Sequence, residues 1–135
     1  MELKKFSLIL SYFLQNTIFT FSSPFFPVLA HEKGFTLWLI GIILASFALV
    51  SAIGSTIIGD KLESIGRRCA YTLSGILTGL GVLSWAILPY LDGYIFLIAS
   101  FVGRMLQGLG TTFTLVAGFS IAASEYPDDV ANVLS

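Results

Sequence analysis

Charge is what this sequence has least of. Lys, Arg, Asp and Glu make up 11% of its 135 residues, where a soluble domain carries roughly 25%. A surface so poor in charge suits lipid and not water. The net charge of -1 comes with no basic cluster of the kind that holds nucleic acid. A single cysteine, Cys69, excludes an internal disulfide, and beside a single histidine it makes a metal cluster implausible. That histidine, His31, stands next to Glu32 and Lys33 and reads as a solvated loop residue. Catalytic constellations are missing too: there is no Ser/His/Asp set, no metal-ligand spacing and no phosphate-cradling glycine loop. Neither an enzyme nor a cofactor is expected.

What is there instead is apolar surface. Hydrophobic residues make up 56% of the chain, and the mean hydropathy is +0.89. Four long runs, at about residues 6–30, 36–58, 69–88 and 94–123, are bounded by polar breaks. A helix needs about 20 apolar residues to cross a bilayer, so the fold class predicted is an all-α membrane protein with four spans. The first run contains no Asp, Glu, Lys or Arg. It is longer than the roughly 7–15-residue apolar core of a signal peptide, so it reads as a span. After Pro127, residues 130–135 read as the opening of a further element.

The first run is not plain lipid filler, because it holds Gln15, Asn16, Thr17, Thr20, Ser22 and Ser23, then Pro24 and Pro27. Polar side chains at membrane depth face a neighbouring helix or a water-filled path, and both readings stay open here. The prolines are expected to disturb the outer end of the helix. Thr36 is a candidate cap for the second helix. Gly41, Ala45, Ala48, Ala52 and Gly59 in the second run, and Gly75 and Gly79 in the third, read as close-packing positions. Trp85 and Tyr90 suit an interfacial aromatic belt.

Residues 59–68 are the polar interruption between the second and third runs. They bring together Asp60, Lys61, Glu63, Arg67 and Arg68, and the segment reads as a loop. Gly66 can turn the backbone, and Arg67 and Arg68 can pair with Asp60 or Glu63. Lysine and arginine set orientation. With the N-terminus in the cytoplasm, Lys4, Lys5, Lys61, Arg67 and Arg68 lie inside and Lys33 alone lies outside, which fixes the expected topology.

Arg104 is the one charge within the fourth run. Ten residues of helix at ~1.5 Å each put it near mid-membrane. A charge there costs roughly 2.5–3.5 kcal/mol on insertion scales, so it must be paired or solvated. Gln107 and Gly108 follow within one turn.

Two segments carry a family resemblance. Gly59, Asp60, Glu63, Gly66, Arg67 and Arg68 lie in a stretch that resembles the signature after the second helix of the major facilitator superfamily. Four glycine and arginine positions of that signature match. Glu63 stands at its aspartate position and Ser64 at a position that is usually basic. Arg104, Gln107, Gly108 and Gly110 are similar to that family's R-x-x-Q-G-x-G motif in the fourth helix. Asn16, the stretch from Pro24 to Pro27, Ala30, Lys33 and Gly34 look like the vesicular amine and polyamine branch. Monoamine members carry an aspartate just before the asparagine, and here Gln15 takes that place.

The resemblance implies the first four helices, and the start of the fifth, of a twelve-helix secondary transporter working by alternating access. It implies proton coupling and a small solute as substrate, an organic cation being one candidate. Gln15, Asn16, Arg104 and Gln107 would border the substrate and proton pathway. Residues of the 59–68 segment would form a cytoplasmic latch, and Gly108 and Gly110 a helix-packing motif. The expected partners are the solute, protons, the lipid bilayer and the remainder of the transporter chain. Drug efflux is the nearest rival, and a complete four-span scaffold protein is the rival from a different class.

Overall fold

A computed structural model describes residues 2–125 and Pro127. Four long helices run through them: α1, Glu2–Glu32; α2, Leu37–Ile65; α3, Arg67–Ala86; and α4, Gly93–Glu125. A short 3₁₀ turn, Leu88–Tyr90, lies between α3 and α4. The expected opening of a fifth element lies outside the described residues.

The corners are made by glycine. Gly34, Gly66 and Gly93 have φ of 84°, 85° and 60°, a region closed to most side chains by their Cβ. The tightest corner is Gly66, a single residue between two helices. Its N–H donates to the Leu62 carbonyl at 2.9 Å, and its own carbonyl accepts from the Ala70 N–H at 2.9 Å. The helices alternate in direction, so the start of α1 lies beside the end of α4, where Lys4 and Glu125 pair at 3.9 Å. At the other end Lys33 pairs with Asp92.

Helix α4 is the spine. It packs along α3 on one side and α2 on another, while α1 touches the rest more sparingly. Two apolar clusters hold the bundle. Phe26, Ala30, Ile40, Ile43, Leu88 and Phe96 form one, and Ile58, Leu62, Ala70, Phe113 and Ala117 form the other. Between Phe96 and Phe113 on α4 lies a polar layer that contains Arg104 and Gln107. Large apolar side chains such as Leu3, Phe13, Phe21, Trp38, Leu49 and Ile95 cover the outside, as expected where lipid is the solvent.

Several expectations need correction. The 59–68 segment is not a loop: α2 continues through Gly59, Asp60, Lys61 and Glu63 to Ile65. Charge marks where a helix leaves the apolar zone, whereas nothing before Gly66 breaks it. Helix α1 runs unbroken through Pro24 and Pro27. Thr36 sits at the N-cap of α2, but its side chain makes no capping hydrogen bond.

The small residues of the second run divide: Ser46 is buried and Ser51 accepts a hydrogen bond from Thr112 on α4, as close packing requires, whereas five others point away from the described bundle. Gly41, Ala45, Ala48, Ala52 and Gly59 are exposed, and α2 instead buries Ile40, Ile43, Ser46, Gly54, Ile58 and Leu62. A Cβ on Gly75 or Gly79 would meet nothing within 4 Å among the described residues. The close approaches are elsewhere. A Cβ on Gly81 would meet the Gly103 carbonyl at 2.9 Å, and one on Gly108 would meet the Phe47 carbonyl at 2.9 Å.

Three of the four long helices, α2, the segment from Arg67 to Tyr90 and α4, are long and apolar enough to cross a membrane. Helix α1 is long enough, but its amide and hydroxyl side chains dilute its hydropathy. Those groups are mostly satisfied within α1: Asn16, Thr17, Thr20 and Ser22 each donate to the carbonyl four residues earlier. Back-bonding of this kind makes a polar side chain cheaper in an apolar surrounding.

Candidate functional site

Arg104 is 1% exposed and is among the largest fully buried side chains. Its position follows from small neighbours on α4 and α3. Gly103, beside it, lets Trp85 approach so closely that a Cβ there would lie 2.6 Å from the indole ring. Gly81 lets the Gln107 side chain lie against α3. The guanidinium then settles among aromatic faces from three helices. Its carbon lies 4.1 Å from the Trp85 ring centroid, 5.7 Å from that of Phe19 and 5.9 Å from that of Phe47. Cation–π attraction of this kind is worth about 2 kcal/mol or more when desolvated.

One charge-assisted hydrogen bond is made. Arg104 Nη1 donates to Gln107 Oε1 at 3.2 Å, one turn along the same helix. Arg104 Nε and Nη2, Gln107 Nε2 and Trp85 Nε1 are buried without a partner. Every one of these unmet groups is a donor. Among the described residues the six carboxylates are Glu2, Glu32, Asp60, Glu63, Asp92 and Glu125, and all but Asp60, which lies one turn further into α2, sit in the end turns or connections of the helices. None reaches the guanidinium.

Phe19 and Phe47 pack against each other with ring centroids 4.8 Å apart. The same two rings line a cavity of about 170 Å³, together with Tyr12, Gln15, Asn16, Thr111 and Leu115. Gln15 Nε2 donates to Thr78 Oγ1 at 3.1 Å, which ties α1 to α3. Asn16 is exposed and bonds only to its own helix, at the Tyr12 carbonyl. Thus Gln15 and Asn16 share the cavity wall, while Arg104, which is not part of that wall, packs against the same two rings and holds Gln107. Replacing Gln15 by Leu removes the bond to Thr78 and should lower stability by about 0.6 kcal/mol, the average for such bonds in membranes. Thermal unfolding of the detergent-solubilised protein measures it.

The charged end of the bundle differs from expectation. Arg67 and Arg68 pair with neither Asp60 nor Glu63 among the described residues. The first turn of α3 lies against the last turn of α4, so Arg67 Nη1 donates to Ser124 Oγ instead. Lys4, Gly66, Arg67, Arg68, Ser124 and Glu125 border a wide cleft there. Gly108 faces α2 at the Phe47 carbonyl, and Gly110 faces α3 at Thr78 and Ser74.

Trp85, Phe19 and Phe47 were not legible as site residues. Trp85 reads from sequence as an interfacial anchor. In the bundle it is half-buried, stacked on Arg104 and 4.9 Å from the Phe26 centroid. Three aromatic residues on three helices share no spacing in sequence, so only the tertiary arrangement reveals them.

The family model described as Major Facilitator Superfamily matches residues 8–135. The chain belongs to the major facilitator superfamily. It is 30% identical to the MFS-type transporter SLC18B1 of Homo sapiens over 112 residues, which is 82% of this chain and 25% of that protein. The Mus musculus protein of the same name gives 30% over 112 residues, 82% of this chain and 24% of the relative. The chromaffin granule amine transporter of Rattus norvegicus is 33% identical over 90 residues, 67% of this chain and 16% of that transporter. The chain therefore spans about a quarter of the length of the first of these relatives. No solved structure matches. With its apolar helices, this member of the superfamily is a multi-pass integral membrane protein, and its relatives are named as transporters.

Proposed function

We propose that the chain is the opening segment of a secondary transporter that moves a small solute by alternating access, driven by protons. One observation carries the reading: a guanidinium buried at 1% exposure between two apolar clusters, in a chain of this superfamily. An unmatched charge at membrane depth is expensive, and a purely structural helix would use an apolar side chain there.

In this reading Gln15, Asn16, Arg104 and Gln107 border the solute and proton path. Arginine does not release its proton in a protein, so Arg104 acts by holding a partner charge and not by carrying the proton. Gly108 and Gly110 let α4 close against α2 and α3. Gly59, Asp60, Glu63, Gly66, Arg67 and Arg68 form the cytoplasmic latch, acting through the α3–α4 contact at Ser124. The N-terminus lies in the cytoplasm, which puts five basic residues on that side and Lys33 on the other. An organic cation is supported by the name of the amine transporter relative. A cation of that kind needs its counter-charge from outside the described residues, because Gln15 is neutral. Drug efflux by the same cycle is the second reading, favoured by the aromatic lining of the cavity.

The test is uptake of a labelled solute panel into proteoliposomes under an imposed pH gradient, using the full-length protein. Gradient-dependent uptake supports the reading. Stable, correctly inserted protein that moves none of the solutes in either direction refutes it. Changing both Arg67 and Arg68 to Glu should slow uptake or put labelled helix ends on the wrong side. Normal uptake together with normal sidedness would count against the latch.

A further inference from the structure

The buried polar layer is one-sided. Arg104 and Gln107 are 1% and 4% exposed, and their unmet atoms, with Trp85 Nε1, are all donors. Donors without acceptors in a desolvated site are costly, and the described residues offer no carboxylate to meet them. The cavity of about 170 Å³ lies across the Phe19–Phe47 pair and is walled by the amides of Gln15 and Asn16 and the hydroxyl of Thr111. Phe19 is 42% exposed and belongs to α1, the helix least engaged with the others. It is the ring most free to move.

We propose that this layer is a carboxylate-binding site for the transported solute. The solute enters the cavity, Phe19 swings away from Phe47, and the carboxylate meets Arg104 while Gln107 and Trp85 donate to it. A planar guanidinium with two free N–H groups matches a carboxylate in a bidentate fashion, which an ammonium cannot do. The substrate class that follows is a small solute carrying a carboxylate, alone or beside an amine. The proposal deepens the transport reading and rests on it.

The experiment uses the full-length protein, in detergent for binding and in proteoliposomes for uptake. The probes are radiolabelled glutamate, lactate and benzoate, the methyl esters of the same three acids, and phenethylamine, which has no carboxylate. At least one acid should bind and be taken up, and its ester should not. Arg104→Gln should weaken binding of that acid about 10- to 100-fold, the worth of a charge-assisted hydrogen bond. Arg104→Lys, which keeps the charge, should retain part of it, so poor folding of the glutamine variant leaves the proposal testable. Phe19→Ala should speed binding.

Uptake of phenethylamine with none of the acids bound would overturn the carboxylate site and leave the transport reading standing. Acids bound equally by the native and Arg104→Gln proteins would also overturn it. So would an ester bound as well as its acid, because the acceptor for Arg104 would then be a side chain of the protein. Acid binding that depends on Arg104 without any uptake would support the site and sink the transport reading. No binding of any acid at millimolar concentration would overturn the proposal outright.

Discussion

Arg104→Ala is expected to reduce uptake by roughly two orders of magnitude while the protein remains in the membrane. The native guanidinium is held by three aromatic faces and by Gln107. Truncation removes a charge whose loss costs no solvation, so the apolar clusters on either side should keep the bundle assembled. What disappears is the single buried charge among the described residues, the one able to hold a partner of opposite sign. A charge-assisted pair is worth about 1.5–3 kcal/mol, and every ~1.4 kcal/mol is tenfold, which sets the size of the effect. Initial uptake rate, normalised to protein recovered in the vesicles, measures it. Uptake within a factor of two of native would show that Arg104 is only a packing element.

The second large effect falls on the α3–α4 seam. A Cβ on Gly110 would lie 2.8 Å from the Thr78 backbone nitrogen and 3.0 Å from the Ser74 carbonyl. Backbone cannot rotate aside as a side chain can, so Gly110→Ala must push the helices apart. Overpacking of this kind typically costs about 1–3 kcal/mol. Gly79→Ala is the control, since a Cβ there meets nothing within 4 Å, and Ala favours helix over Gly by about 1 kcal/mol. The melting temperature in detergent should fall clearly for the first and hold or rise slightly for the second. Equal behaviour of the two variants would mean that the seam is not as tight as described. The separation of α3 should also loosen Trp85 from Arg104, so Gly110→Ala is expected to slow uptake as well.

Comparison of sequence with structure shows which physical signals survive without a fold. Helix number and rough extent were legible, because apolar runs broken by charge are imposed by lipid itself. Gly66 was legible as a corner, since a lone glycine between charged residues is a cheap site for positive φ. The end of α2 was not: Asp60, Lys61 and Glu63 mark the water boundary, and helix continues past it because these residues are tolerated there. Small residues misled for a related reason. Any glycine in an apolar helix permits close approach, but only the tertiary arrangement decides which ones are used. Gly81, Gly103, Gly108 and Gly110 meet a neighbour, while Gly41, Gly75 and Gly79 do not. Arg104 stood out because its burial must be compensated. Its aromatic cage did not, because Trp85, Phe19 and Phe47 come from separate helices.

Helix α1 carries the weakest membrane signal and also supplies Tyr12, Gln15, Asn16 and Phe19, most of the cavity wall, so the proposed path requires it to cross the bilayer with the others. Side-specific labelling decides this directly. Single cysteines are placed at positions 4, 33 and 61 in a Cys69→Ser background, and intact vesicles are treated with a membrane-impermeant maleimide. The account predicts that positions 4 and 61 react from the cytoplasmic side and position 33 from the opposite side only. Positions 4 and 33 reacting from the same side would place α1 outside the bundle of spans and contradict it.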